Sequence, residues 1–263
     1  MAKATTILYV GDVIGKPGRS ALKAALPGLS LKYAPDLIIV NGENSAGGFG
    51  ITPAIFNELL GLGVDVVTSG NHIWDKREII DYIDTAPRLL RPANYPIEDP
   101  GSGVIVTTLM SSGVRAAVVN ISGRVFMDTI DCPFRSIDKL LKDIREETPV
   151  IFVDFHAEAT SEKKAMGHHL DGRVSAVIGS HTHVQTSDEV VLGGGTAYLT
   201  DAGMTGPVDS VIGIDKDIII KKFLTKMPIR YEVAGGRTQL QGVVVEVTED
   251  GKASSIERLC LDI

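Results

Sequence analysis

The chain has 263 residues, 44% of them hydrophobic and 22% charged, which excludes disorder or coiled coil as a whole-chain reading and suffices for a substantial core. Its 26 Lys and Arg against 33 Asp and Glu give a formal net charge of −7, the wrong sign for an extended nucleic-acid-binding surface. Two cysteines, Cys132 and Cys260, stand far apart without a CxxC pair, which excludes a disulfide scaffold and a thiolate zinc site and favours a reducing compartment.

Residues 5–10 form the first apolar run. It is too short for a signal-peptide core or a membrane span, so a cytoplasmic protein with no membrane partner is expected. A Gly/Pro loop and a helical pattern over about 19–33 follow. Next come the apolar run 37–40, a Gly-rich loop, and a helix opened by Thr52-Pro53, an N-cap followed by Pro at the first helical position. The run 64–68 leads through a polar loop to a helix predicted around 76–83. Short, wholly apolar strands alternating with amphipathic helices predict βαβ units and a buried, largely parallel sheet.

The middle of the chain breaks this rhythm. Runs 104–109 and 115–121 read as an antiparallel hairpin, a helix over about 134–147 precedes the run 150–155, and a helix near 161–170 precedes 174–178. Further strands are predicted at 196–199, 240–247 and 255–261, interrupted by a helix near 217–224, and Gly193-Gly194-Gly195 reads as a hairpin turn. So many strands overfill a single three-layer sheet. The expected α/β fold is therefore two stacked mixed β-sheets flanked by helices, a four-layer α/β/β/α sandwich. With no linker, repeat or low-complexity stretch, residues 1–263 are expected to form one domain.

Five of the apolar runs are each followed at once by residues able to bind a hard or borderline metal. These are Gly11-Asp12, Asn41-Gly42-Glu43-Asn44, Ser69-Gly70-Asn71-His72, Asp154-Phe155-His156 and Gly179-Ser180-His181-Thr182-His183. In open α/β sheets ligands gather outside the carboxyl ends of parallel strands, so five such clusters can converge. Singly, each has a plainer reading. Asp12 fits a turn or helix cap, Glu43-Asn44 a solvated loop, Asn71-His72 a turn closure, and His156 a satisfied core histidine. His181-Thr182-His183 is more telling, because alternate residues of an extended segment point to one side. Taken together, the five clusters predict a metal site.

The ordered motifs resemble the calcineurin-like metallophosphoesterase superfamily, whose strand ends carry Asp-x-His, Gly-Asp, Gly-Asn-His, a lone His and Gly-His-x-His. This chain has Gly11-Asp12, Gly42-Glu43-Asn44, Gly70-Asn71-His72, His156 and Ser180-His181-Thr182-His183 in the same order. It departs at Ile14, which replaces a ligating His, and at Glu43, which replaces the bridging Asp. Both departures resemble the YmdB-like branch, in which Glu bridges and the following Asn supplies the missing ligand. The longer strings at 70–78, 154–162 and 181–186 are similar to that branch too.

The resemblance implies two divalent metal ions. Asp12, Glu43, Asn44 and His183 would hold one, and Glu43, Asn71, His156 and His181 the other. Carboxylate, amide and imidazole donors without thiolate suit manganese or iron, with zinc as a third candidate. The implied reaction is attack by a metal-bridging hydroxide on phosphorus, with His72 protonating the leaving alkoxide or stabilising the transition state. The implied substrates are small nucleotides, 2′,3′-cyclic ahead of 3′,5′-cyclic. The alternatives are a phosphomonoesterase or nucleotidase with the same centre, and a regulatory metal-binding protein without turnover. A homo-oligomer is also expected, although no sequence feature locates its interface.

Other motifs carry less. Gly11 to Pro17 has three residues between its glycines and no Ser/Thr after Lys16, so it is not a phosphate loop of the Walker type. His168-His169 falls on a predicted helix, where adjacent residues point apart. The stretch from Asp201 to Pro207 is a candidate substrate-side loop, and Trp74 reads as helix packing ahead of base stacking.

Overall fold

The structure, a computed structural model, describes residues 4–263. The first half contains β1 (Thr5–Val10), β2 (Asp12–Val13), α1 (Gly15–Tyr33), β3 (Leu37–Asn41), α2 (Pro53–Gly61) and β4 (Val66–Thr68). The centre contains β5 (Val104–Thr108), β6 (Arg115–Ser122), α3 (Pro133–Glu147), β7 (Ile151–His156), α4 (Thr160–Leu170) and β8 (Ala176–Ser180). The remainder contains β9 (Val190–Val191), β10 (Ala197–Leu199), β11 (Met204–Pro207), α5 (Lys216–Thr225), β12 (Thr238–Val247) and β13 (Ala253–Asp262).

These strands make two mixed sheets. The first runs β2-β11-β12-β1-β3-β4, with β13 also paired to β12. In it β1, β3 and β4 are parallel, while β12 is antiparallel to β1. The second runs β5-β6-β7-β8-β10-β9, with β6, β7, β8 and β10 parallel and a hairpin strand on each edge.

Period-two alternation explains how the layers stack. In β1, Leu8 and Val10 pack against Leu22 and Leu26 of α1 and Phe56 and Leu59 of α2. Ile7 and Tyr9 face the other way, into a core shared with Phe152, Ile178 and Leu199 of the second sheet. The opposite face of that sheet, through Val153 and Phe155, meets Ile137 and Leu141 of α3 and Met166 and Leu170 of α4. Three apolar layers thus separate helix, sheet, sheet and helix, which is the predicted sandwich. Tyr9 and Phe152 cross the middle layer with ring centroids 5.2 Å apart.

The helix expected at 76–83 is absent. Two 3₁₀ turns, Arg77–Ile79 and Ile83–Thr85, take its place, and neither has a side-chain cap. The backbone N–H groups reach back three residues, Ile79 to Lys76, Ile80 to Arg77, Tyr82 to Ile79 and Ala86 to Ile83, so the segment is wound as tight turns although Ile79 and Ile83 are both buried. The short strands β2, β9 and β11 had no distinct hydrophobic run to reveal them. Among the described residues, no helix is long and apolar enough to cross a membrane.

Candidate metal centre

The carboxyl ends of the parallel strands in both sheets open onto one place. Asp12 follows β1, Glu43 and Asn44 follow β3, and Asn71 and His72 follow β4; His156 ends β7, and His181 and His183 follow β8. Two donor clusters share Glu43: one adds His156 and His181, the other Asp12 and His183, with donor atoms within 4.8 Å of one another in each. His156 Nε2 lies 3.1 Å from Glu43 Oε1, from Asn71 Oδ1 and from His181 Nδ1. Ligand atoms about 2.1 Å from one octahedral ion stand about 3 Å apart, so this side is already at ligand spacing. On the other side, His183 Nε2 is 3.7 Å from Asp12 Oδ1, and Asn44 Nδ2 is 3.0 Å from Glu43 Oε1 and 3.2 Å from His183 Nε2. Turning the Asn44 amide over would present its oxygen at the same point.

Several features fit these residues to cations. Among the described residues, the buried Asp12 Oδ1 has no hydrogen-bond partner, a costly arrangement for a carboxylate oxygen unless something else satisfies it. Each histidine also has its second ring nitrogen engaged. His156 Nδ1 is 2.9 Å from Ser180 Oγ, His181 Nε2 is 3.2 Å from Glu158, and His183 Nδ1 is 2.9 Å from the Ile212 carbonyl. Such partners turn the remaining nitrogen, as a lone pair, toward the donor clusters. Gly70 supplies room, because a Cβ there would run into the His156 ring and the Glu43 carboxylate. Gly70→Ala is therefore expected to weaken metal binding by about 10–100-fold while far-UV circular dichroism is retained. Unchanged metal content would argue against Glu43 and His156 sharing an ion.

The electrostatics are those of a cation site. Burial alone would lower the pKa of His156, but the Glu43 carboxylate beside it, helped by Asp12 and Asp154, raises it to about 9. Burial likewise opposes charge on Glu43, yet His156, His72 and His181 bring its carboxyl down to about 2. Asp12 rises to about 6, chiefly through burial, with His183 and His156 opposing. Burial and then the charge on His156 push His181 down to about 3. The field that charges His156 attracts a divalent cation equally, and binding one releases the proton.

Behind these residues lies a buried polar scaffold. Asp154 accepts from Tyr9 (2.9 Å), Thr68 (2.5 Å) and Ser180 (2.6 Å), so it orients His156 through Ser180. It precedes His156 by two on a strand, hence on the same face, and a charged residue there in an otherwise apolar run was a readable signal. His181 and His183 both reach the donor clusters, but not from the extended segment that was expected. Both have left-handed backbone, φ 96° and 63°, costly for residues other than glycine. Asp201 holds that turn, accepting from the Thr182 amide (3.1 Å) and hydroxyl (2.7 Å) and from Lys163 Nζ (2.6 Å). Asp201 is thus a buried brace, and the stretch after it enters β11.

His72 stands at the edge of the donor clusters. Its Nδ1 is 2.9 Å from Asp75 Oδ2 and its backbone N–H donates to Glu43 Oε2 at 3.2 Å. Its ring lines a cavity of about 700 Å³ together with Phe49, Ile214, Ile219, Phe223 and Tyr231. Sequence reading missed Phe49 and Tyr231, which flank the site from distant parts of the chain. Trp74 packs against the first hydrophobic core, and His169 pairs with Asp138 on the outer face of α4, so neither joins the site.

Known proteins resemble the chain over nearly its whole length. The model of the YmdB-like protein family matches residues 8–259. The chain is 50% identical over 257 residues to a Bacillus subtilis (strain 168) protein named 2′,3′-cyclic-nucleotide 2′-phosphodiesterase, covering 97% of each. The crystal structure of a hypothetical protein from Thermus thermophilus has a TM-score of 0.92 at 40% identity, over 98% of this chain and 99% of that one. A Mycoplasma pneumoniae structure described as a novel phosphatase has a TM-score of 0.93 at 32% identity, over 100% of this chain and 95% of that one. With the ordered motifs, the sandwich, and a family match and a 50% identical relative that each span nearly its whole length, the chain belongs to the YmdB-like family.

Proposed function

We propose that the protein is a phosphodiesterase that uses two divalent metal ions to hydrolyse 2′,3′-cyclic nucleotides, opening the P–O2′ bond to leave a 3′-phosphate. The observation that carries this reading is the pair of donor clusters joined through Glu43, with the cavity beside them. The name of the Bacillus relative supports the substrate and the bond. Asp12, Glu43, Asn44 and His183 would hold one ion and Glu43, Asn71, His156 and His181 the other. The donor set suits Mn²⁺ or iron, with Zn²⁺ third.

Bound there, the ions neutralise charge on the phosphoryl oxygens and lower the pKa of an attacking water. The chain's own residues do the rest. Asp75 occupies Nδ1 of His72, which leaves Nε2 to pass a proton to O2′ as its bond to phosphorus opens. The His72 amide, by donating to Glu43 Oε2, keeps that carboxylate turned toward both clusters.

Protein dialysed against a chelator is expected to hydrolyse bis(p-nitrophenyl) phosphate and 2′,3′-cyclic AMP only after Mn²⁺ or a similar ion is restored. Full activity in excess chelator would overturn the metal-dependent reading. A turnover panel of 2′,3′- and 3′,5′-cyclic nucleotides, mononucleotides and short RNA identifies the preferred ester, and a preference for mononucleotides would favour phosphomonoesterase action.

A further inference from the structure

The cavity beside the metal centre has two unlike ends. Near the donor clusters it is lined by Glu43, Glu158 and the histidines, while its far wall comes from α5 and the segment after it. That wall is aromatic and basic. Phe49 meets His72 edge to face, with centroids 5.1 Å apart, and stacks on Tyr231 at 5.9 Å and 25°. Lys222 Nζ lies 4.4 Å from the Tyr231 ring centre and donates to the Tyr231 hydroxyl. One ring, then a second, then an ammonium thus lead away from His72.

Among the described residues, Lys222 and Lys226 are the only lysines or arginines that line this cavity. They are four residues apart at the end of α5, where Lys226 forms the C-cap with φ 54°, and both line the same cavity. In a chain with net charge −7, these two lysines put exposed positive charge on the wall of an otherwise apolar and acidic cavity, where an anion can meet it. Interaction with the helix C-terminus accounts for basic residues here in general, but not for Lys222 turning onto Tyr231. A second phosphate on a nucleotide whose cyclic phosphate sits at the donor clusters would bring an anion to these exposed ammoniums. The flat face of a base matches the aromatic wall between them.

Building on the phosphodiesterase reading, we propose that the Phe49–Tyr231 wall receives the base and that Lys222 and Lys226 bind a second phosphate, on the 5′ oxygen of the nucleotide. The favoured substrate is then a 2′,3′-cyclic nucleotide that is also phosphorylated at 5′. A free 5′-phosphomonoester and the 5′-linked phosphodiester at the end of a short RNA share this chemistry.

The test uses products, so it does not depend on turnover. Calorimetry with the full-length, Mn²⁺-loaded protein compares adenosine 3′-phosphate with adenosine 3′,5′-bisphosphate. The bisphosphate is expected to bind about tenfold more tightly, as one charge-assisted contact allows. K222Q/K226Q is expected to bring the two affinities together, and F49A to weaken both ligands alike. Equal affinities in the unaltered protein, a preference that survives K222Q/K226Q, or no binding of either ligand would each overturn the proposal. Turnover then separates the two sources: 5′-phosphorylated 2′,3′-cyclic AMP favoured over a dinucleotide ending in a 2′,3′-cyclic phosphate identifies the free monoester, and the reverse identifies an RNA end. Hydrolysis of both at the rate of 2′,3′-cyclic AMP itself counts against the second-phosphate contact while leaving the phosphodiesterase reading intact. Tight bisphosphate binding without hydrolysis of any cyclic nucleotide overturns that reading instead.

Discussion

His72→Asn is expected to leave bound metal nearly unchanged and to lower turnover of 2′,3′-cyclic AMP by about 10²–10⁴-fold, the range for loss of an acid–base group. The expectation rests on where the ring sits. His72 belongs to neither donor cluster, and its Nδ1 is occupied by Asp75. An asparagine can keep a donor toward Asp75 through its amide but has no counterpart of Nε2, so the substitution removes the proton carrier and little else. Elemental analysis alongside kcat separates the outcomes. If metal is lost together with activity, His72 is a ligand and the proton-transfer role is wrong.

Glu43→Ala is expected to deplete both ions together, with activity falling to background. Glu43 is fully buried, is common to the two clusters, and faces His156 Nε2 at 3.1 Å. Removing it also strips His156 of its counter-charge, and breaking a buried ion pair costs about 3–5 kcal/mol. Glu43→Gln, which keeps the side chain's volume, is therefore measured in parallel. Metal per chain by elemental analysis decides the matter: loss of one ion with retention of the other in both variants argues against a bridging carboxylate.

The strand-end donors were legible because each signal is local. A wholly apolar run followed at once by Asp12, by Glu43-Asn44 or by Asn71-His72 needs only a strand and its exit, and parallel pairing gathers the exits at one edge. The four-layer stacking was legible for a similar reason, since the number of strands exceeded what one sheet can hold. The conformation of the His181–His183 turn was hidden, because its left-handed residues depend on Asp201 and Lys163, about twenty residues to either side. Lys163 is a lysine with 1% exposure inside a charged string that reads as a solvated helix face, so nothing nearby marked it as buried. The Phe49–Tyr231 wall was hidden in the same way, as its rings meet across most of the chain's length. The 3₁₀ turns at 77–85 were hidden because Ile79 and Ile83, four residues apart, read as one face of an α-helix, while neither turn has the side-chain cap that would open one.

Each donor cluster draws from both sides of the sandwich: Glu43 and Asp12 leave the first sheet, while His156, His181 and His183 leave the second. A cation seated in either cluster is therefore a rivet through two slabs. Because Tyr9 already ties the slabs together through Asp154 a few residues deeper, sliding one against the other would tear the coordination before it opened a path for substrate. Breathing during the catalytic cycle must then fall to the parts outside the riveted region, the end of α5 and the strand-free stretch that carries Tyr231. Changes in that region should govern how fast ligands come and go, while the spacing of the donor clusters stays fixed by the slabs themselves.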